Sequence, residues 1–245
     1  MTDRPSRRTF LAGAGSAGLI GALPASARSK LLAESPAAAG TDGHFLNAHE
    51  LGTLAALLDS LIPGPPADHD PGAVDAGAHV YVDLLLAGFD LEMPRIFSAG
   101  PFSDRNGSDV NYFSEFLELD PLDELVWRTR IEGSQGIPAR EWNGPVRGWR
   151  ETYREGLARL DSTARHWLGK EYTRSPRWLR DFLALFPAQG LRDFVDLAFE
   201  HGVEGTYGNP EYGGNQGLVG WTYTGWPGDS QPAGYADVEV SARDA

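Results

Sequence analysis

The histidines and carboxylates of this 245-residue chain form few patterns that could do chemistry. Asp68-His69-Asp70 could bind a metal ion, but adjacent residues in a loop rich in proline and glycine do not present a common face, so a solvated turn is favoured. His44 and His49 flank a predicted helix start, which favours capping or exposure over metal ligation. Glu200-His201 stands at a predicted helix end, where a histidine cation would stabilise the helix dipole. No catalytic centre is predicted within the chain.

Composition excludes several further chemistries. The chain has no cysteine, which rules out disulfides, cysteine-held zinc or iron–sulfur clusters and thiol catalysis. Its formal net charge of −13 gives a surface that would repel nucleic-acid phosphates. A Gly-x-Gly-x-x-Gly pattern at 13–18 follows no strand and precedes the folded part of the chain, so it does not predict a dinucleotide site.

The first residues have the pattern of an export signal. Arg7 and Arg8 stand directly before a mildly apolar run, and Ala25 and Ala27 close that run with the small-x-small pattern that a signal peptidase needs. We therefore predict a twin-arginine signal, which exports cargo that has already folded. No later stretch reaches the roughly 20 apolar residues that a transmembrane helix needs.

The chain divides by composition and hydrophobic pattern into four parts. They are a twin-arginine signal peptide at 1–27, a flexible spacer at 28–43, a helical domain at 44–201 and a C-terminal arm at 202–245. Within the helical domain, apolar residues recur at helical spacing between proline and glycine breaks, and predicted helices begin near 47, 74, 120, 146, 176 and 188. Because no β-α-β alternation appears, the predicted fold class is mainly α: a helical bundle with an irregular arm rich in glycine and aromatic residues.

Two helix starts and one helix face are predicted in detail. Asn47 and Glu50 have the spacing of a capping box. Asp120-Pro121 combines a cap residue with proline at the first helical position. The helix that follows is expected to turn four side chains inward: Leu122, Leu125, Val126 and Thr129.

The arm at 202–245 combines glycines and prolines with large aromatic residues. Repeated glycine and proline predict that the segment is not helical. The aromatic rings predict that it is nevertheless ordered, because burying each ring is favourable. We expect a backbone-dominated arm that lies either on the chain's own helices or on another protein. Its candidate interface residues are Tyr212, Gly213, Gly214, Asn215, Trp221, Trp226 and Pro227.

The arm also carries an ordered motif. Residues 205–215 read Gly-Thr-Tyr-Gly-Asn-Pro-Glu-Tyr-Gly-Gly-Asn, followed by Gly220-Trp221 and by Gly-Trp-Pro-Gly at 225–228. This order resembles the gluconate 2-dehydrogenase subunit 3 family, and the segments at 45–63 and 156–161 are similar to that family as well. The family comprises small subunits of periplasmic FAD-dependent sugar and sugar-acid dehydrogenases.

The resemblance implies a non-catalytic accessory subunit. Such a subunit escorts a large FAD-dependent subunit of the glucose–methanol–choline type through the twin-arginine route and stabilises it. FAD is then expected in the partner and no cofactor in this chain, with a cytochrome subunit as an open third component. The implied location is periplasmic or otherwise extracytoplasmic, with membrane association through partners alone. At Asn209 the family commonly has aspartate, so a charge-dependent contact is not expected there.

Two other functions stay open on the residues alone. A secreted carbohydrate-binding module would use Trp221 and Trp226 as stacking platforms, and it predicts that the isolated chain binds sugar. A stand-alone enzyme predicts turnover without any partner.

Overall fold

The computed structural model of the chain describes residues 42–91 and 119–226. Within these ranges there are seven α-helices and no strand, so the mainly α fold class is confirmed. The predicted signal peptide at 1–27 lies outside the described residues. The helices are α1 (Ala48–Leu61), α2 (Ala78–Leu86), α3 (Pro121–Glu132), α4 (Trp149–Leu168), α5 (Arg177–Leu185), α6 (Arg192–Tyr207) and α7 (Val219–Thr224).

Five of these helices share one hydrophobic core. α1 contacts α2, α4, α5 and α6, and α6 also contacts α2 and α4. Removing large apolar side chains from water is the main favourable contribution to such a fold. The buried side chains of this core include Leu54, Leu57, Leu58, Leu86, Tyr153, Leu157, Leu160, Leu179 and Leu191.

Two predicted helix starts, at Asn47 and at Asp120, are confirmed by the capping geometry. The Asn47 side chain accepts a hydrogen bond from the Glu50 N–H (3.0 Å), and the Glu50 carboxylate accepts one from the Asn47 N–H (3.0 Å). At the start of α3, the Asp120 carboxylate accepts from the N–H groups of the second and third helical residues, both at 2.8 Å. These bonds satisfy amides that would otherwise lack a partner within the helix.

A buried carboxylate on α2 holds the start of the described chain. Asp83 accepts hydrogen bonds from the backbone N–H groups of His44, Phe45 (3.0 Å) and Leu46 (2.7 Å). The Phe45 ring also lies under the guanidinium groups of two arginines of α4. No local sequence pattern indicates this clamp, because its partners lie 37 or more residues apart in the chain.

Three predictions about helix extent are wrong. α2 begins at Ala78 rather than near 74, because Gly77 takes a left-handed conformation with φ +68° directly before it. α6 continues past the predicted end at His201 to Tyr207, and α7 lies within the arm that was expected to contain no helix. Packing against neighbouring helices outweighs the unfavourable helix propensity of glycine. Gly202 of α6 lies against α1, and Gly205 of α6 lies against α2.

The predicted inward face of α3 is wrong at two of its four residues, since Leu125 and Thr129 are half-buried. Leu122 is 67% exposed, and Val126 one turn later is exposed as well. α3 instead buries Ile131, on the opposite side of the helix, and places Trp127 edge-on against Trp149 of α4 at 6.0 Å between ring centroids. The helix is thus rotated about its axis relative to the predicted orientation, so that Ile131 and Trp127 face the rest of the fold and Leu122 faces solvent.

We expect two glycine-to-alanine substitutions in helices to have opposite effects. A Cβ at Gly156 in α4 would overlap the Phe194 ring, whereas a Cβ at Gly52 in α1 would have no neighbour within 4 Å. Gly156→Ala should therefore lower the free energy of unfolding by about 1–3 kcal/mol through overpacking. Gly52→Ala should raise it by about 0.5–1 kcal/mol, because alanine favours the helix. Urea denaturation measures both, and a stabilising Gly156→Ala would contradict the packing described here.

Candidate partner-binding surface

The glycine-rich segment turns back onto the helices instead of extending away from them. After α6 ends at Tyr207, the chain forms two short 3-10 turns, Pro210–Tyr212 and Gln216–Leu218, and then α7. The first turn contacts α2, and α7 contacts α6. The backbone of the glycine-rich segment also bonds to the residues before α2, because the Gln216 N–H donates to the Ala76 carbonyl (2.9 Å). The segment is thus part of the folded body up to residue 226.

Direct backbone contact with α6 fixes this course. The Asn215 N–H donates to the carbonyl oxygen of Gly205 at 2.6 Å. Any Cβ at Gly214 would overlap that same carbonyl, and Gly213 has φ +97° beside Leu84. Only glycine allows this close approach and this backbone conformation. Gly213 and Gly214 therefore serve the chain's own packing.

Asn215 connects three parts of the segment. Its side chain is buried, its Oδ1 accepts from the Gly220 N–H (2.9 Å), and its Nδ2 donates to the carbonyl of Gly208 (3.0 Å). The residue itself has φ +44°, the left-handed region that asparagine tolerates better than most residues. One amide thus ties the end of α6 to the first turn of α7.

The two tryptophans of the arm have different environments. Trp221 is only 5% exposed, and its Nε1–H donates to the Tyr207 carbonyl at 2.8 Å. Trp226 is 54% exposed, and its backbone N–H donates to the Trp221 carbonyl (2.9 Å). Trp221 therefore cannot serve as an open platform for sugar stacking. Tyr212 is half-buried, and Pro227 lies outside the described residues.

A buried histidine lies at the centre of the bundle. His201 forms a 3.0 Å hydrogen bond between its Nδ1 and the Tyr153 hydroxyl, and the Trp149 ring packs edge-on against it at 4.6 Å between centroids. Burial lowers the pKa of His201 to about 4, so the ring is neutral at pH 7. The expectation that it would stabilise the helix dipole as a cation is wrong. Its spacing from Phe194 and Ala198 could have placed it on the inward face of α6.

The other histidine and carboxylate patterns make contacts with distant parts of the chain. His49 contacts the carboxylate of Asp161 through Nε2, so it pairs with a charge rather than capping α1. Asp70 accepts a hydrogen bond from the Tyr223 hydroxyl at 3.0 Å. Residues 42–91 and 119–226 contain no cluster of three or more histidine, aspartate or glutamate side chains able to hold a metal ion. Among the described helices, none has the length and apolarity needed to cross a bilayer.

We expect the stability of the isolated chain to fall as the pH drops from about 6.5 to about 4. In that range the unfolded His201 binds a proton and the folded one does not, which favours unfolding. At roughly 1.4 kcal/mol per pH unit, the loss is about 3 kcal/mol. Burial also raises the pKa of Glu204, and this shift makes the folded state more stable as the pH falls. The Glu204 contribution is the same in every variant compared. Urea denaturation should show a flatter profile for His201→Gln, whereas His69→Gln, at an exposed site, should keep the wild-type profile.

We expect Asn215→Ala to lower the free energy of unfolding by about 2–3 kcal/mol. The substitution removes both side-chain hydrogen bonds and leaves a buried N–H and a carbonyl without partners. Thr222→Ala, on the exposed side of α7, is the matched control and should change stability by less than about 0.5 kcal/mol. Denaturant unfolding followed by tryptophan fluorescence gives both values. Equal effects would show that Asn215 does not hold the segment.

Comparison with protein-family models matches residues 48–228 to the family described as gluconate 2-dehydrogenase subunit 3. The match covers most of the chain, from α1 through α7. Comparisons with curated proteins and with solved structures gave no match. The breadth of the family match, together with the motif order of the glycine-rich segment, places the chain: it belongs to the gluconate 2-dehydrogenase subunit 3 family.

Proposed function

We propose that this chain is a non-catalytic small subunit that binds a large FAD-dependent dehydrogenase subunit of the glucose–methanol–choline type. It stabilises that subunit and escorts it through twin-arginine export. The observation that carries the proposal is the family match over residues 48–228, since the family is named for one numbered subunit of a dehydrogenase. The Arg7-Arg8 pair before an apolar run supports the export role.

Catalysis and FAD are assigned to the partner chain. The pattern at 13–18 that resembles a dinucleotide site lies in the predicted signal peptide. The hydrogen-bonded pair of His201 and Tyr153, whose pKa values burial lowers and raises respectively, lies in the core, and a substrate cannot reach it. Perturbed pKa values here are explained by burial within the bundle and do not indicate an active site.

Contact with the partner is assigned in the arm to Trp226. It keeps about half of its surface exposed, whereas Trp221, Gly214 and Asn215 are buried against the chain's own helices. The burial of Trp221 counts against a carbohydrate-binding module, which would need both rings open. The complex is assigned to the periplasmic side of the membrane.

We expect the double substitution Arg7→Lys, Arg8→Lys to leave both subunits in the cytoplasm. The chain is co-expressed with its large subunit, and the periplasmic and cytoplasmic fractions are assayed for both chains and for flavin. The partner should be stranded because it depends on this chain's signal. It should still co-purify from the cytoplasm as a yellow complex, because the substitutions do not alter the folded domain.

Arg4→Lys, which changes an arginine in the same segment outside the pair, is the matched control and should export normally. Periplasmic flavoprotein in the double variant would show that the large subunit has its own route. A yellow, active preparation of this chain expressed alone would contradict its assignment as a non-catalytic subunit.

A further inference from the structure

A single tryptophan lies exposed on the loop between α3 and α4. Trp142 is 87% exposed, and Ile137 and Val146 of the same loop are about 40% exposed. We call residues 133–148 the Trp142 loop. An indole ring presents one of the largest apolar surfaces of any side chain, so covering it with a partner is strongly favourable.

Backbone contacts close the base of the Trp142 loop. The Ser134 N–H donates to the Val146 carbonyl at 3.0 Å, and the Val146 N–H donates to the Ser134 hydroxyl at 3.0 Å. Gly133 and Gly148 approach so closely that a Cβ on Gly133 would lie 2.8 Å from the Gly148 nitrogen. The loop therefore leaves and rejoins the helices at one fixed point.

An ion pair and three hydrogen bonds hold the rest of the loop. Arg140 pairs with Glu132 of α3 at 2.8 Å, and both side chains are largely buried. Its guanidinium also donates to the carbonyl of Gly133 at 3.2 Å. On the other side, Glu141 accepts from the Gly136 N–H through its carboxylate (3.1 Å) and from the Gly144 N–H through its carbonyl (2.8 Å). Both flanks of Trp142 are thus fixed before any partner binds.

A rigid loop that presents an exposed tryptophan has the features of a binding hot spot. Tryptophan is among the residues that most often dominate interface energy. A segment that is already ordered loses little conformational entropy on binding, so more of the contact energy is available as affinity.

The charges of the chain favour one kind of occupant. The Trp142 loop holds Arg140, Glu141 and Arg147, giving a net charge of 2 − 1 = +1, whereas the whole chain carries −13. A second copy of this chain would bring another −13 towards the first and be repelled. The near-neutral apolar loop is instead suited to a different protein that offers an apolar pocket.

We infer that the Trp142 loop is a docking anchor for the large dehydrogenase subunit, and that the indole of Trp142 enters an apolar pocket on that subunit. This inference rests on the proposed function, which supplies the partner. It adds a contact on the α3–α4 side of the chain that the C-terminal motif does not indicate.

The test is a competition within one cell. The tagged large subunit is co-expressed with equal amounts of the wild-type chain and the Trp142→Ala variant. The complex is captured, and the ratio of the two small subunits is measured by intact-mass spectrometry. We expect the variant to be depleted about 30-fold, the effect of losing a hot-spot side chain. Trp142→Phe should recover most of the occupancy. Phe199→Ala, which truncates a half-exposed aromatic residue of α6, is the matched control and should compete equally.

Separate measurements on the isolated chains complete the design. The melting temperature of Trp142→Ala should equal that of the wild type, because the ring has little contact with the fold. Equal occupancy of the variant and the wild type in the captured complex would overturn the inference while leaving the proposed function intact. Failure of the wild-type chain to be captured at all would overturn both. Self-association of the isolated wild type that is lost in Trp142→Ala would identify a second copy as the occupant and overturn the inference.

Discussion

The close approach of Gly205 to Gly214 is the constraint on which the C-terminal half of the structure depends. A side chain at Gly214 would overlap the Gly205 carbonyl, and the same carbonyl accepts the Asn215 N–H at 2.6 Å. This contact leads the chain back onto α6, so that Asn215 can fix α7 and α7 can bury Trp221. Without it, the glycine-rich segment would have no fixed path, because its own helix propensity is poor.

Sequence patterns predicted the features of the fold that depend on local chemistry. The capping box at Asn47 and Glu50 and the cap at Asp120 were recognisable because their partners lie within three residues. The extent of α6 and the direction of the α3 face were not, because both depend on neighbouring helices. Periodicity shows which residues share a helix face, but only the packed structure shows which way that face points. Leu122 lies on the predicted apolar face of α3 and is nevertheless exposed.

The sequence identified the residues of the candidate site but did not show which of them are buried and which are exposed. The motif identified Asn215, Trp221 and Trp226 together, yet the first two are buried and the third is half-exposed. Their burial depends on a backbone path set by tertiary contacts. Trp142 had no such signal: a lone aromatic residue in an irregular loop has no periodic partner, and the ion pair that fixes its loop joins Arg140 to a different element, α3.

The distribution of aromatic residues fits a chain that works as part of a complex. Tyr153 and Trp221 are buried within the bundle, and their hydroxyl and indole N–H groups form hydrogen bonds there, as a self-sufficient domain requires. Trp142 and Trp226 are left in water, on the α3–α4 loop and after α7 respectively, where exposed rings promote non-specific association of a free chain. The chain's charge of −13 opposes that association between copies. Repulsion between copies combined with exposed anchors favours assembly with a different protein, which is the behaviour that a dedicated small subunit needs.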